Sequence, residues 1–283
     1  MPDFPIIDTH VHLWDTGKLK YPWLQDIPIL NRPFLHEDFK QAAAEIDIEA
    51  MVFMQCEVEF SQGLAEVEWV TGLASAESKV KAIIPWAPME KGDESRIYLD
   101  RLKSNSLIKG VRRLIQSEPD PEFCLKSDFI KGIQILSGYN FSFDICISHR
   151  QMANTIKMVR KCPNTIFILD HIGKPDIKNH VLEPWKSDIR TLSQNSNVHC
   201  KISGMVTEAD HRKWSNEDLD PYLEHVIESF GFDRVMFGGD WPISTLATKY
   251  PVWIKALDWA LKGCSEDELI KFYRKNAERI YKI

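Results

Sequence analysis

The stretch Ile6-Ile7-Asp8-Thr9-His10-Val11-His12-Leu13-Trp14 is an apolar, β-like run that ends in two histidines separated by one residue. Side chains on a strand alternate faces, so Asp8, His10 and His12 are expected on one wall and Thr9 and Val11 on the other. Two imidazoles on one wall can share a metal ion or grip one oxyanion. A hydrogen-bonded core histidine beside a loop histidine is the plainer alternative. Position argues against it, because a similar run near the far end, Arg234-Val235-Met236-Phe237-Gly238, leads directly to Asp240. First and last strands become neighbours only in a closed sheet, so the two runs together point to a barrel.

Between them the pattern repeats. Apolar, β-branched-rich runs are expected as strands at 6–10, 50–56, 80–87, 108–115, 141–148, 165–170, 197–203 and 234–238. Segments with helical spacing follow at 37–46, 63–77, 94–105, 128–137, 151–162, 183–195, 217–230 and 252–261, with a closing helix at 265–273. Eight strands alternating with eight helices, without a Ser/Gly-rich linker, predict an α/β fold: one (β/α)8 barrel domain over 1–283. A doubly wound sheet would more often carry a glycine-rich turn after its first strand, and none is present. The loop at 13–35 is long and rich in aromatics, which marks it as functional rather than disordered.

Composition narrows the partners. The chain has 283 residues, 44% of them hydrophobic, a formal charge of −6 and no basic run, which argues against nucleic acid or an anionic membrane surface. A small-molecule substrate fits better. The six cysteines are scattered without a C-x-x-C pair and read as reduced thiols. No basic and apolar leader opens the chain and no apolar stretch reaches a membrane span, so a cytoplasmic protein is expected. Monomer or homo-oligomer stays open.

In a barrel, reactive groups gather at the C-terminal strand ends. Those ends carry His10 and His12, Glu57, Arg112 or Arg113, His149, His171, Lys201 or Ser203, and Asp240, a set that is polar almost throughout. Arg112 and Arg113 are adjacent, so one is expected inside the barrel and the other at the surface. Lys201 is expected to pair with a carboxylate, since an unpaired buried lysine is costly. His171 reads either as a substrate contact or as a core histidine, and Glu57 either as a hydroxyl acceptor or as a solvated loop residue.

The blocks Asp8-Thr9-His10-Val11-His12-Leu13-Trp14, Gln55-Cys56-Glu57, Gly110-Val111-Arg112, Leu169-Asp170-His171-Ile172-Gly173-Lys174-Pro175, Cys200-Lys201-Ile202-Ser203-Gly204 and Phe237-Gly238-Gly239-Asp240-Trp241-Pro242, with the tail Asn276-Ala277-Glu278-Arg279-Ile280-Tyr281, resemble the amidohydrolase superfamily. More narrowly, they are similar to its sugar-lactonase-like amidohydrolase 2 group, the L-fuconolactonase and L-rhamnonolactonase type. The resemblance implies a distorted TIM barrel that hydrolyses a sugar-acid lactone, with Asp240 as general base and Arg112 in the position that polarises the carbonyl. His171 is expected beside them. Substrate contacts are expected from Glu57 and His149 and from an apolar wall of Trp14, Trp23 and Trp241.

A binuclear metal centre would need a bridging carboxylated lysine or glutamate on strand 4 or 5, where the sequence offers arginines and His149. One divalent ion, zinc, held by His10, His12 and Asp240 is one alternative, and metal-independent hydrolysis of the activated ester is the other. The rival functions are a metal-dependent decarboxylase of the same superfamily and a non-catalytic sugar-binding barrel.

Overall fold

The computed structural model describes residues 2–76 and 79–283. Strands β1 (Ile6–Val11), β2 (Ile48–Met54) and β3 (Val80–Ile84) form one sheet in that order. A second sheet orders β4 (Gly110–Arg112), β5 (Ser142–Ile145), β6 (Phe167–Leu169), β7 (Val198–Ile202) and β8 (Val235–Phe237), and every pairing is parallel. Hydrogen bonds join the sheets at both seams. Ile83 N donates to Leu107 O at 2.8 Å and Arg112 N to Pro85 O at 2.9 Å, which links β3 to β4. Asp240 N donates to His10 O at 2.8 Å and His12 N to Trp241 O at 2.7 Å, which links the end of β8 to β1. The eight strands therefore run round in sequence order as a distorted TIM barrel.

The helices are α1 (His36–Ala42), α2 (Gly63–Ser75), α3 (Ser95–Lys103), α4 (Ser127–Ile135), α5 (Met152–Lys161), α6 (Trp185–Ser193), α7 (Met205–Glu208), α8 (Asn216–Phe230), α9 (Tyr250–Ala260), α10 (Glu266–Ile270) and α11 (Asn276–Tyr281). Their starts follow local chemistry. Ser265, for example, caps α10 by accepting from Glu268 N while the Glu268 carboxylate accepts from Ser265 N at 2.8 Å. The Glu77 end expected for the second helix lies outside the described residues. The closing helix expected at 265–273 is instead α10, a π-helical turn at Lys271–Lys275 and then α11. No helix among the described residues is long and apolar enough to cross a membrane. All six cysteines are free.

The strand faces differ from simple alternation in one place. The β1–β2 pairing slips between Asp8 and Val11, and this irregularity leaves Ile7 inside the barrel together with His10, while Asp8 turns outward. Asp8 accepts from Gly239 N at 2.8 Å and from Tyr250 Oη on α9 at 2.8 Å, and so latches the β8 end onto β1 instead of joining the histidines.

Within the barrel the layers are distinct. The lower one is apolar, with Val52, Met54, Ile84, Ile168 and Met236 packed around Tyr281, which α11 inserts from the N-terminal mouth. Above it lies a charged layer. Lys201 Nζ sits 2.6 Å from Asp144 Oδ2 and 3.2 Å from Asp170 Oδ1, and Tyr281 Oη donates to Asp144 at 3.2 Å. Arg112 Nη1 reaches Asp170 Oδ2 at 3.2 Å and lies 3.3 Å from His10 Nε2. Two cations thus balance two carboxylates, the condition under which buried charge is tolerated. This layer is the platform on which the upper mouth is built.

Candidate active site

At the C-terminal mouth the strand ends enclose a cavity of about 310 Å³, at the small end of the range for ligand sites. Its lining includes His12, Glu57, Arg112, His171 and Asp240, with Trp14 and Trp23 on one side. Arg112 enters the barrel, whereas Arg113 turns away to Glu90 and Glu118. His10 lies fully buried just below, on the charged layer. Two residues expected here are placed elsewhere. Trp241 is 2% exposed and packs on Phe34 and Phe39 behind the long loop, on a backbone bridged to Val11. His149 bonds the Lys174 carbonyl at 2.9 Å and lines a neighbouring surface cleft. Neither lines the cavity.

The polar centre is Asp240. Its Oδ1 lies 3.5 Å from His12 Nε2, 3.7 Å from His10 Nε2 and 4.0 Å from His171 Nε2. Burial opposes its charge, but His171, His12 and Lys174 outweigh burial and hold the carboxyl below its usual pKa. Burial also lowers the pKa values of His12 and His171 from the usual value, so these imidazoles hold the Asp240 charge only while they carry a proton. His12 Nδ1 faces the Met54 carbonyl at 2.9 Å, and since a carbonyl only accepts, that nitrogen carries the proton. In the neutral ring the Nε2 lone pair therefore points at a carboxylate oxygen.

Two acceptors facing each other are held together by a cation or a shared proton between them. His10, His12 and Asp240 offer ligand atoms that lie within 4.8 Å of one another, and this set of two imidazoles and a carboxylate suits zinc with an open position. The residues fit such an ion. The Arg112 guanidinium, 3.3 Å from His10 Nε2, competes with it for that nitrogen.

The lining also includes a cation that the strand-end reading passed over. Lys174, after β6, faces Glu208 of α7 at 3.9 Å, and Cys146, Glu208 and Asp240 outweigh the burial that opposes its charge. The signal was the Gly173-Lys174-Pro175 run one residue beyond His171. Glu57, His171, Lys174 and Asp240 all have positive φ, at 51°, 54°, 50° and 53°. Backbone strain of this kind concentrates at functional sites. On the apolar side Trp23 donates to Cys56 O at 2.8 Å and meets Trp14 edge-on at 5.6 Å.

Gly204, at φ 58°, lets β7 pass beneath the site. A Cβ there would lie 2.5 Å from His171 Nδ1 and 3.0 Å from Asp240 Oδ2. Gly204→Ala is expected to lower kcat/KM by roughly 10²-fold, the usual cost of misplacing reacting groups by about 1 Å. Steady-state kinetics on a soluble, folded variant checks it.

Behind the cavity, Glu66 of α2 is fully buried and accepts from Cys56 N at 3.3 Å. Burial pushes its carboxyl up to about 8 from a model-peptide value of 4.5. Between those values the folded state keeps a proton that the unfolded state has lost, so stability falls as pH rises through this window. Glu66→Gln keeps an acceptor for Cys56 N, and its unfolding free energy is expected to lose that pH 4.5–8 slope. Urea titrations across this range read the slope in both proteins.

Residues 7–283 match the family model described as Amidohydrolase. An L-fucono-1,5-lactonase of Burkholderia multivorans is 26% identical, over 97% of this chain and 95% of its own length. An L-rhamnono-gamma-lactonase of Scheffersomyces stipitis is 25% identical over the whole of both chains. A crystal structure of an amidohydrolase from Burkholderia multivorans with bound zinc superposes with a TM-score of 0.88 at 24% identity, covering 99% of this chain and 100% of that one.

Proposed function

The chain belongs to the amidohydrolase family, and from that premise we propose that it opens a sugar-acid lactone, an aldonolactone such as L-fuconolactone or L-rhamnonolactone, by water attack on the ester carbonyl. The observation that carries the reading is Asp240, a buried carboxylate held ionised in a cavity of small-molecule size, with imidazoles on one side and cations on the other. The two relatives named as lactonases support it.

Asp240 takes a proton from water as the water oxygen bonds to the carbonyl carbon. The carbonyl oxygen gains negative charge, which Lys174, Arg112 and His171 are placed around the cavity to stabilise. As the ring carbon–oxygen bond breaks, the proton on Asp240 passes to the departing ring oxygen, which leaves a hydroxy acid. If a divalent ion is bound, His10, His12 and Asp240 hold it, and it supplies Lewis-acid polarisation and a more acidic water. Glu57, held by Gln55 Nε2 at 3.0 Å, accepts from substrate hydroxyls, and Trp23, with the buried Trp14 packed behind it, meets the C–H face of the ring.

Acid release from a panel of aldonolactones, followed by a pH indicator with and without chelator, tests the reading. Turnover of at least one lactone is expected, and release of CO2 from aromatic acids in place of lactone opening would replace it with a lyase. Recognition by the loop has its own test. Trp23→Ala is expected to change the ratio of kcat/KM between a deoxy-sugar lactone and its hydroxylated analogue by about 10-fold, the scale of one apolar contact. An equal loss on both would make the loop aromatics scaffolding.

A further inference from the structure

The opposite mouth of the barrel holds a second cavity, about 630 Å³, below the starts of β4 to β8. Lys109, Arg234, Arg279 and Lys282 line it, and the one carboxylate among its lining residues, Asp233, already pairs with Lys271 at 3.1 Å. None of the four cations forms an ion pair with a described residue. The two arginines are nonetheless fixed in place by uncharged acceptors. Arg234 Nη1 donates to the carbonyls of Ser193, Asn195 and Val198 at 2.8, 3.3 and 3.3 Å. Arg279 Nη2 donates to the Asp233 carbonyl and to Asn276 Oδ1. Their positions are set while their charges stay unbalanced.

An independent feature points the same way. His199 lines this cavity, lies on β7 two residues before Lys201 and so shares its inward face, and is 5% exposed. Its Nδ1 has no hydrogen-bond partner among the described residues. Buried polar nitrogens are rarely left so. In a chain of net charge −6, two oriented arginines and two lysines around one hollow, none in an ion pair with a described residue, also make a local field that favours an anion.

We propose that this lower cavity is a second ligand site, separate from the candidate active site, that binds a phosphate group, either as inorganic phosphate or carried on a small phosphomonoester. Arg234, Arg279, Lys109 and Lys282 supply the charge, and His199 supplies a neutral hydrogen bond from the barrel wall. The volume exceeds that of a bare phosphate and leaves room for an attached organic group.

Calorimetric titration of the full chain with inorganic phosphate, and separately with glycerol 1-phosphate, in chloride buffer of matched ionic strength tests this. One saturable site is expected, weakened at least 10-fold in His199→Gln and in the double variant Lys109→Gln/Lys282→Gln, and unchanged in Asp240→Asn. Equal affinity for the two ligands identifies free phosphate as the ligand, and tighter binding of the ester identifies the organic phosphate. Thermal unfolding verifies that each variant is folded. Lys282→Gln alone, at a side chain without bonded partners, serves if the others are not. Absence of saturable heat, undiminished binding in the folded variants, or loss of binding in Asp240→Asn would each overturn the proposal.

Discussion

Asp240→Asn is expected to lower kcat on the lactone substrate by about 10² to 10⁴-fold, the range over which a positioned general base contributes. The substitution keeps the shape and one carbonyl oxygen but removes the proton acceptor. Because the wild-type carboxyl already sits below its usual pKa, its ionised form persists at mildly acid pH, and the loss should be similar at pH 5 and pH 8. KM should change less than kcat, since the ring is gripped mainly by the walls of the cavity. An Asn variant that kept more than a tenth of the wild-type rate would move the role to another group, with His171, 4.0 Å from Asp240 in the cavity wall, the next candidate.

The second large effect concerns stability. Lys201 is fully buried between Asp144 and Asp170, and Lys201→Met leaves both carboxylates without their shared cation. Breaking a buried pair in this way typically costs about 3–5 kcal/mol. Asp170 retains Arg112 at 3.2 Å, so Asp144 is the more exposed to the loss. Adding Asp144→Asn to Lys201→Met should therefore recover part of the stability, a non-additivity that equilibrium urea unfolding of the single and double variants would measure. Additive losses would mean that the two side chains do not act as a pair.

Much of this architecture was legible along the chain. Strand ends in a barrel are fixed by the apolar runs that precede them, so His10, His12, His171 and Asp240 could be placed at one mouth from hydrophobic patterning, while the choice of Arg112 over Arg113 rested on the family resemblance. The exceptions share a cause, which is that they depend on departures from regular structure. The slip in β1 sends Asp8 outward, and strict period-two reading cannot see a bulge. His149 follows its strand by several residues of loop, where backbone direction is no longer set by the sheet, and Trp241, still bridged to Val11, faces away from the cavity that its neighbour Asp240 lines. Lys174 stands five residues past β6 yet reaches the cavity, because Ile172 and Lys174 adopt left-handed conformations that bend the chain back. The contact of Tyr281 with Asp144 spans 137 residues and belongs to a helix that the tail's mixed polarity did not announce. The strand-4 run at 108–115 shortened to Gly110–Arg112 for a related reason, as Leu114 leaves the ladder to line the cavity.

The central claim is that Asp240 activates water rather than attacking the substrate itself. A single turnover in water enriched in oxygen-18, with enzyme in excess over lactone, tests it most directly. General-base attack puts one heavy oxygen into the product carboxylate in that first turnover and none into the new hydroxyl. Unlabelled carboxylate, with the heavy oxygen retained on Asp240, would show a covalent carboxylate route, and label in the hydroxyl would show cleavage on the other side of the ring oxygen; either result contradicts the account.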